Sequence, residues 1–352
     1  MQPLGVRASS LFVLLLCGCS FFVPPPTPIP TPSFTPTRPR LTTPTLGVTT
    51  PLATPTANLP RASTLSPIPS ATPTRTFTPT RTATPWPPPS GRSECNDQRF
   101  RSATLNEDLS LYVYLPVGYF DQTQRRYPVV YLLSGLGGNY HEWVQYGVCS
   151  EMDGLVRNDR VQPMIVVMPS GNDNPAGGLG SYWFNHAPSP FGDGKRWGDY
   201  IWQDVVNYID TNYRTLPRRA SRAIGGLSAG GQGALTLALT HPEIFSAVGA
   251  HSPSFRRADG SVPAFGDPAY YQQYDPIWLV QNTQTWKELA IWIDDGDADD
   301  QWGTAIREYH DMLFALDIPH AWHIFPGVHD PTYWSPLAPT YLQWYNTQLV
   351  GQ

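Results

Sequence analysis

The sequence predicts an α/β protein: a doubly wound, mostly parallel sheet with helices on both faces, preceded by a disordered Pro/Thr-rich tether. Three observations carry this. From about residue 97 onward, short continuous apolar runs recur, as expected of parallel strands buried on both faces. Helical patterns separate them, and strand–helix alternation is how a doubly wound sheet is written in a sequence. Before about residue 90 the composition changes: the chain is rich in Pro and Thr and carries no acidic residue until Glu94.

Taken in order, residues 1–19 read as an export signal. Arg7 supplies the positive charge, and Leu11 to Leu16 form an apolar core too short to span a bilayer. Leu16-Cys17-Gly18-Cys19 resembles a bacterial lipobox, with Cys19 as the acylated residue; a plain cleaved secretory signal is the alternative. The expectation is an extracellular, cell-surface lipoprotein of a bacterium, attached to the membrane through lipidated Cys19. Residues 20–90 are the tether, since recurrent Thr-Pro favours extended polyproline II and prevents a packed core. Residues 91–352 form the globular domain.

Charge and cysteines narrow the classes further. Residues 1–93 hold seven arginines and no lysine, so of 23 basic and 28 acidic residues the remainder keeps 16 and all 28, a net of −12. An acidic domain without a basic stripe argues against nucleic-acid binding. Cys17 and Cys19 belong to the signal. The domain therefore holds only Cys95 and Cys149, which in an exported protein most simply form one disulfide, two free buried thiols being the alternative.

The predicted strands are Leu109–Leu115, Pro128–Leu133, Met164–Met168, Arg222–Gly225, Ala247–Ala250, Leu289–Ile293 and Ala321–Phe325. Helical patterns cover Tyr200–Tyr213, with Ile201, Val205, Tyr208 and Ile209 on one face, then Gly231–Leu239, Gln301–Leu316 and Leu337–Leu349. In such folds ligands bind at the carboxyl ends of the strands.

Gly226-Leu227-Ser228-Ala229-Gly230 stands between a predicted strand and a predicted helix. G-x-S-x-G in that setting is the nucleophile elbow of the α/β-hydrolase fold. A serine hydroxyl needs a base, and the base an orienting carboxylate, found in this fold in the chain order Ser, Asp/Glu, His. The acid should follow Leu289–Ile293, where the sequence runs Asp294-Asp295-Gly296-Asp297-Ala298-Asp299-Asp300. Asp294 reads as strand and Asp300 as a helix cap. Asp299 is preferred, with Asp297 the alternative. Alternation of Asp295, Asp297 and Asp299 raises a calcium loop, but Asp300 and Ile306 stand where an EF-hand needs Gly and Glu. No metal or cofactor is expected. The base expected is His329, on the turn after the last strand. The oxyanion donors expected are the N–H groups of Ala229 and of Leu136, the latter in the loop Ser134-Gly135-Leu136-Gly137-Gly138.

These residues together resemble the esterase family that includes esterase D (S-formylglutathione hydrolase), feruloyl and acetylxylan esterases, enterochelin esterases and mycolyltransferases. The resemblance covers roughly residues 105–348. It rests on Leu111–Tyr119, on Tyr131–Gly138 with Trp143, on Tyr213–Pro217, on Arg222–Gly231, and on Gly327-Val328-His329-Asp330 with Trp334. Ser134 stands where the family often has His or Asp, and Ala229 where Met is usual. The resemblance implies Ser228, Asp299 and His329 as the triad, and Leu136 and Ala229 as the oxyanion donors. The function it implies is ester hydrolysis through an acyl-enzyme, with a feruloyl or acetyl ester on polysaccharide as the substrate that suits export and a tether. Aromatic and polar residues that could line the mouth are Trp143, Trp183, His186 and Trp334. An acyltransferase of the mycolyltransferase type, and a non-catalytic surface carbohydrate-binding module, are the alternatives.

Overall fold

The computed structural model describes residues 89–171 and 180–352. The expected signal, with Cys19, and the expected tether up to residue 88 lie outside the described residues. Among the described residues the sheet has eight strands: β1 (Glu94–Ser102), β2 (Glu107–Leu115), β3 (Val129–Leu133), β4 (Ile165–Pro169), β5 (Arg222–Ser228), β6 (Ala247–Pro253), β7 (Ala290–Gly296) and β8 (Ala321–Phe325). Their order across the sheet is β1-β2-β4-β3-β5-β6-β7-β8. β1 and β2 pair antiparallel, β2 meets β4 antiparallel, and all remaining pairs are parallel. This is the doubly wound, mostly parallel sheet that the apolar runs predict.

Helices cover both faces because the central strands are apolar on both. Along β3, Val129, Tyr131 and Leu133 join one core and Val130 and Leu132 the other. The helices in chain order are α1 (Glu142–Gln145), α2 (Val148–Arg157), α3 (Trp197–Asp199), α4 (Val206–Asn212), α5 (Ala229–Thr240), α6 (Pro268–Tyr271), α7 (Pro276–Asn282), α8 (Gly303–Ala315) and α9 (Pro331–Gln348). The first core takes side chains from α4, α5 and α8, the second from α2 and α9. Tyr200–Val205, joining α3 to α4, is a π-helical turn; Ile201, Val205 and Ile209 bury the face that the sequence pattern marks.

The departures from expectation have physical reasons. β1 is absent from the hydropathy reading because its sequence, ECNDQRFRS, is an edge strand with a largely polar pattern. β5, β6 and β7 each run three residues past their apolar stretches, ending in Gly-Leu-Ser, His-Ser-Pro and Asp-Asp-Gly. Those ends are polar because they carry the site. α9 begins six residues early: Asp330 caps it by accepting the Thr332 N–H at 2.8 Å, and Pro336 and Pro339 inside it hide its first turns from a propensity reading. Asp300 is not the cap of α8, since the turn before that helix is held by Asp299 instead.

Cys95 on β1 and Cys149 on α2 are joined as a disulfide across a sequence separation of 54. A loop of that length confines the unfolded chain by about 4 kcal/mol in the chain-entropy account. Cys149→Ser is therefore expected to lower the thermal midpoint by roughly 10 °C, and reductant should lower the wild type, but not the variant, by the same amount.

Candidate active site

Ser228 closes β5 and precedes α5 in a strained backbone, with φ 53° and ψ −119°. The positions two residues to either side have to be glycine. A Cβ on Gly226 would lie 2.5 Å from the Gly230 carbonyl, and one on Gly230 would lie 2.4 Å from the Leu133 oxygen and 2.5 Å from that of Ser134. The turn is tight enough to lift the hydroxyl off the sheet toward the loop after β8.

His329 stands on that loop, and its Nε2 lies 2.8 Å from Ser228 Oγ. Its Nδ1 is shared between Asp299 Oδ2, at 2.8 Å, and Ser252 Oγ, at 2.9 Å. Asp299 is buried and accepts four hydrogen bonds. Oδ2 takes those of His329 and of the Ser252 hydroxyl (2.8 Å), and Oδ1 takes the N–H groups of Gln301 (3.0 Å) and Trp302 (2.8 Å). Burial alone would raise this carboxyl, but the bonds from His329, Trp302 N–H and Ser252 outweigh it and hold it at about 2. Distance separates the two aspartates: Asp299 meets the His329 ring and Asp297 does not. Asp297 faces the other way: its Oδ1 accepts the Gly327 N–H at 2.9 Å and its N–H donates to Phe325 O at 2.9 Å, so it braces the His329 loop.

Ser252 was not singled out by the sequence. It stands one residue before the end of β6, the strand next to β5, in a left-handed conformation with φ 44°. The one available signal was its place, a small polar residue at the carboxyl end of the strand lying between elbow and acid.

The loop after β3 runs against the elbow, and a Cβ on Gly135 would lie 2.8 Å from Leu227 Cδ1 and 3.6 Å from Ser228 Cβ. Glu142 holds this loop by accepting the Gly135 N–H at 2.8 Å. Burial pushes the Glu142 carboxyl up, against the bonds from Gly135 and Tyr146. Leu136 rides at the exposed tip, and Ala229 opens α5. Backbone donors on both sides of a reacting carbonyl could hold an oxyanion in this arrangement.

The four residues expected at the mouth have other duties. Trp143 is buried and donates its indole N–H to Leu133 O at 2.9 Å; Trp183 is buried and donates to Ser134 O at 2.9 Å. Both brace the Leu136 loop from beneath. His186 is buried, with Nδ1 2.7 Å from Asp193 Oδ1 and Nε2 2.9 Å from Ser181 O, so both ring nitrogens are engaged. Trp334 donates to His251 O at 3.2 Å and packs edge-on against the His329 ring, 4.8 Å between centroids. None of the four presents a free polar edge, because a buried indole or imidazole must spend its N–H on a protein acceptor. Among the described residues no cluster of His, Cys, Asp and Glu could hold a metal ion.

A family model described as "Putative esterase" matches residues 102–344. The chain belongs to this esterase family. It is 26% identical over 263 residues to an esterase of Mycobacterium tuberculosis, covering 66% of this chain and 54% of that protein, so the chain spans about half the length of the curated relatives it matches there. It is 33% identical over 152 residues to an endo-1,4-beta-xylanase/feruloyl esterase of Xylanibacter ruminicola, which is 42% of this chain and 20% of that one. Among solved structures, a ferulic acid esterase superposes with a TM-score of 0.65 at 25% identity, covering 73% of this chain and 99% of that chain. The S-formylglutathione hydrolase of Agrobacterium tumefaciens superposes with a TM-score of 0.60 at 23% identity, covering 73% and 96%, a likeness of fold.

Proposed function

We propose that this esterase-family chain hydrolyses carboxylic esters through Ser228, His329 and Asp299, and that its substrate is a feruloyl or acetyl ester on polysaccharide outside the cytoplasm. The observation that carries the reading is the unbroken relay from Ser228 Oγ through His329 to buried Asp299, both links at 2.8 Å. His329 Nε2 takes the Ser228 proton as Oγ attacks the ester carbonyl. Asp299, ionised and held by four donors, keeps the Nδ1–H tautomer in place and stabilises the imidazolium. The N–H groups of Ala229 and Leu136 receive the oxyanion. His329 then gives its proton to the departing alcohol, leaving the acyl group on Ser228. Water, activated by the same imidazole, releases the acid. Glu142, Trp143 and Trp183 contribute by fixing the loop before the reaction starts, so the oxyanion meets donors already in place.

The substrate class is drawn from the ferulic acid esterase likeness and the feruloyl esterase relative, together with the export signal and tether expected from residues 1–90. Lipidation at Cys19 would keep the enzyme at the cell surface. Ser228→Ala is expected to lower the rate on a short-chain nitrophenyl ester and on methyl ferulate by roughly 10⁴-fold or more. It should also abolish covalent labelling by a fluorophosphonate. Turnover that survives Ser228→Ala would overturn the mechanism, and a wild type that hydrolyses the nitrophenyl ester but not methyl ferulate would remove the feruloyl assignment.

A further inference from the structure

Arg256 follows β6 on a segment that runs alongside the nucleophile, where the Ser254 N–H donates to Ser228 O at 3.0 Å. Its backbone is clamped from the nucleophile helix. Gln232, buried in the first turns of α5, accepts the Arg256 N–H at 3.1 Å and donates to the Arg256 carbonyl at 3.1 Å. The Tyr271 hydroxyl donates to the same carbonyl at 3.3 Å. The side chain is thus delivered from a fixed point one helical turn from Ser228.

The guanidinium lies 5.1 Å from the Trp302 ring and 5.9 Å from the Tyr182 ring. Trp302 is on the acid–base side of the site: its N–H binds Asp299 and its ring centroid is 6.5 Å from that of His329. Tyr182 is on the other side, in an apolar cluster with Ala229 and Phe265. The Arg256 charge therefore lies near two rings, one bound to the acid–base side of the site and one packed in the cluster that holds Ala229.

Arg222 pairs with Asp210, Arg307 with Asp295 and Arg196 with Asp199, and half-buried Arg214 is held by the carbonyls of Tyr119 and Arg125. Arg256 makes no ion pair among the described residues, and its Nε is buried with no hydrogen-bond partner among them. The acidic residue nearest in sequence, Asp259, accepts the Ser261 N–H at 2.9 Å and feels the Arg256 charge without forming an ion pair with it. A half-buried cation that forms no ion pair among the described residues, in a domain that is otherwise strongly acidic, is costly to keep. A guanidinium is also the group best shaped to bind a carboxylate through two parallel hydrogen bonds. On the premise that Ser228 is the nucleophile of a serine esterase, we propose that Arg256 is a specificity-determining residue that binds a carboxylate carried by the ester substrate.

The carboxylate could sit on the acyl chain, as in a dicarboxylic half-ester, or on the alcohol, as in an acylated uronic acid. Two matched pairs separate these sources: mono-4-nitrophenyl adipate against 4-nitrophenyl hexanoate, and an acetylated methyl glucuronoside against the corresponding acetylated methyl glucoside. The full chain is expected to favour the charged member of one pair by at least about tenfold in kcat/KM, the size of one charge-assisted hydrogen bond. The pair that shows the preference assigns the side. Arg256→Gln should collapse that ratio toward one, mainly through KM, and Arg256→Lys should restore part of it. Because the ratio is read within each variant, a change in folded fraction cancels. Equal rates on charged and neutral members in the wild type, or a preference that survives Arg256→Gln, would overturn the assignment while leaving the esterase reading standing. A folded wild type that turns over none of the four esters would overturn the esterase reading and this assignment with it.

Discussion

Asp299→Asn is expected to lower kcat by roughly 10⁴-fold, whereas Asp297→Asn should cost no more than about tenfold. The two carboxylates are separated by one alanine, yet only Asp299 faces Nδ1 of His329. An asparagine at 299 turns either an amide oxygen without charge or an N–H₂ donor toward the ring. The first fails to stabilise imidazolium, and the second favours the tautomer that cannot accept the serine proton. At 297 the asparagine oxygen can still accept the Gly327 N–H, so the His329 loop keeps its brace. The pH dependence follows from the same contacts. The Asp299 carboxyl is depressed to about 2 in the folded protein, against an ordinary value near 3.9. A depressed acid contributes stability that is complete above the unfolded value and is lost as pH falls through the folded one. About 2 kcal/mol of stability should therefore disappear between about pH 4 and pH 2 in the wild type. Asp299→Asn should lack this component. Denaturant unfolding at pH 6 and pH 2.5, beside steady-state rates, measures both. An Asp297→Asn rate as low as that of Asp299→Asn would mean the acid had been misassigned.

The largest expected loss of stability is that of Asp294→Ala, at roughly 3–5 kcal/mol. Asp294 is fully buried one layer beneath the site and accepts from four donors. Trp292 Nε1 (2.6 Å) and His251 Nδ1 (2.8 Å) meet one oxygen, and the hydroxyls of Tyr333 (2.6 Å) and Tyr341 (3.2 Å) meet the other. Burial, reinforced by the Asp294 charge, pushes both tyrosine hydroxyls far up, so they remain donors at any working pH. Alanine would strand all four in a dry interior. The damage should also reach the chemistry. His251 holds Trp334 through its carbonyl, Trp334 backs the His329 ring, and the next residue, Ser252, is bound to Asp299. Asp294→Asn, which keeps one acceptor oxygen, is expected to lose about half as much. Urea unfolding with active-site titration separates folded fraction from rate per folded site. An alanine variant within about 1 kcal/mol of wild type would show that water replaces the carboxylate at no cost.

Much of this was legible in the chain. Continuous apolar runs announced six of the eight strands, because a parallel strand buried on both faces has no polar alternation to disguise it, and alternation announced β2. The elbow was legible because its geometry excludes side chains: the Cβ distances at Gly226 and Gly230 are steric facts that leave only glycine, and a steric demand marks the sequence directly. His329 could be placed because a fixed chain order and a turn after the last strand leave few candidates.

What the sequence left open were questions of direction. Which of Asp297 and Asp299 meets the histidine depends on how the turn after β7 folds over, and composition carries no record of that. Trp143, Trp183, His186 and Trp334 look like a binding mouth in one dimension; in three, each N–H is spent on a carbonyl or carboxylate beneath the site. Ser252 and Arg256 gave no local signal, since each acquires its neighbours from segments at least 15 residues away. The layers, the elbow and the candidate histidine could be read from the chain, because periodicity and steric exclusion are local. Which polar groups face one another could not, because hydrogen bonds depend on orientation at a few tenths of an ångström, and orientation is set by the packing of the whole sheet.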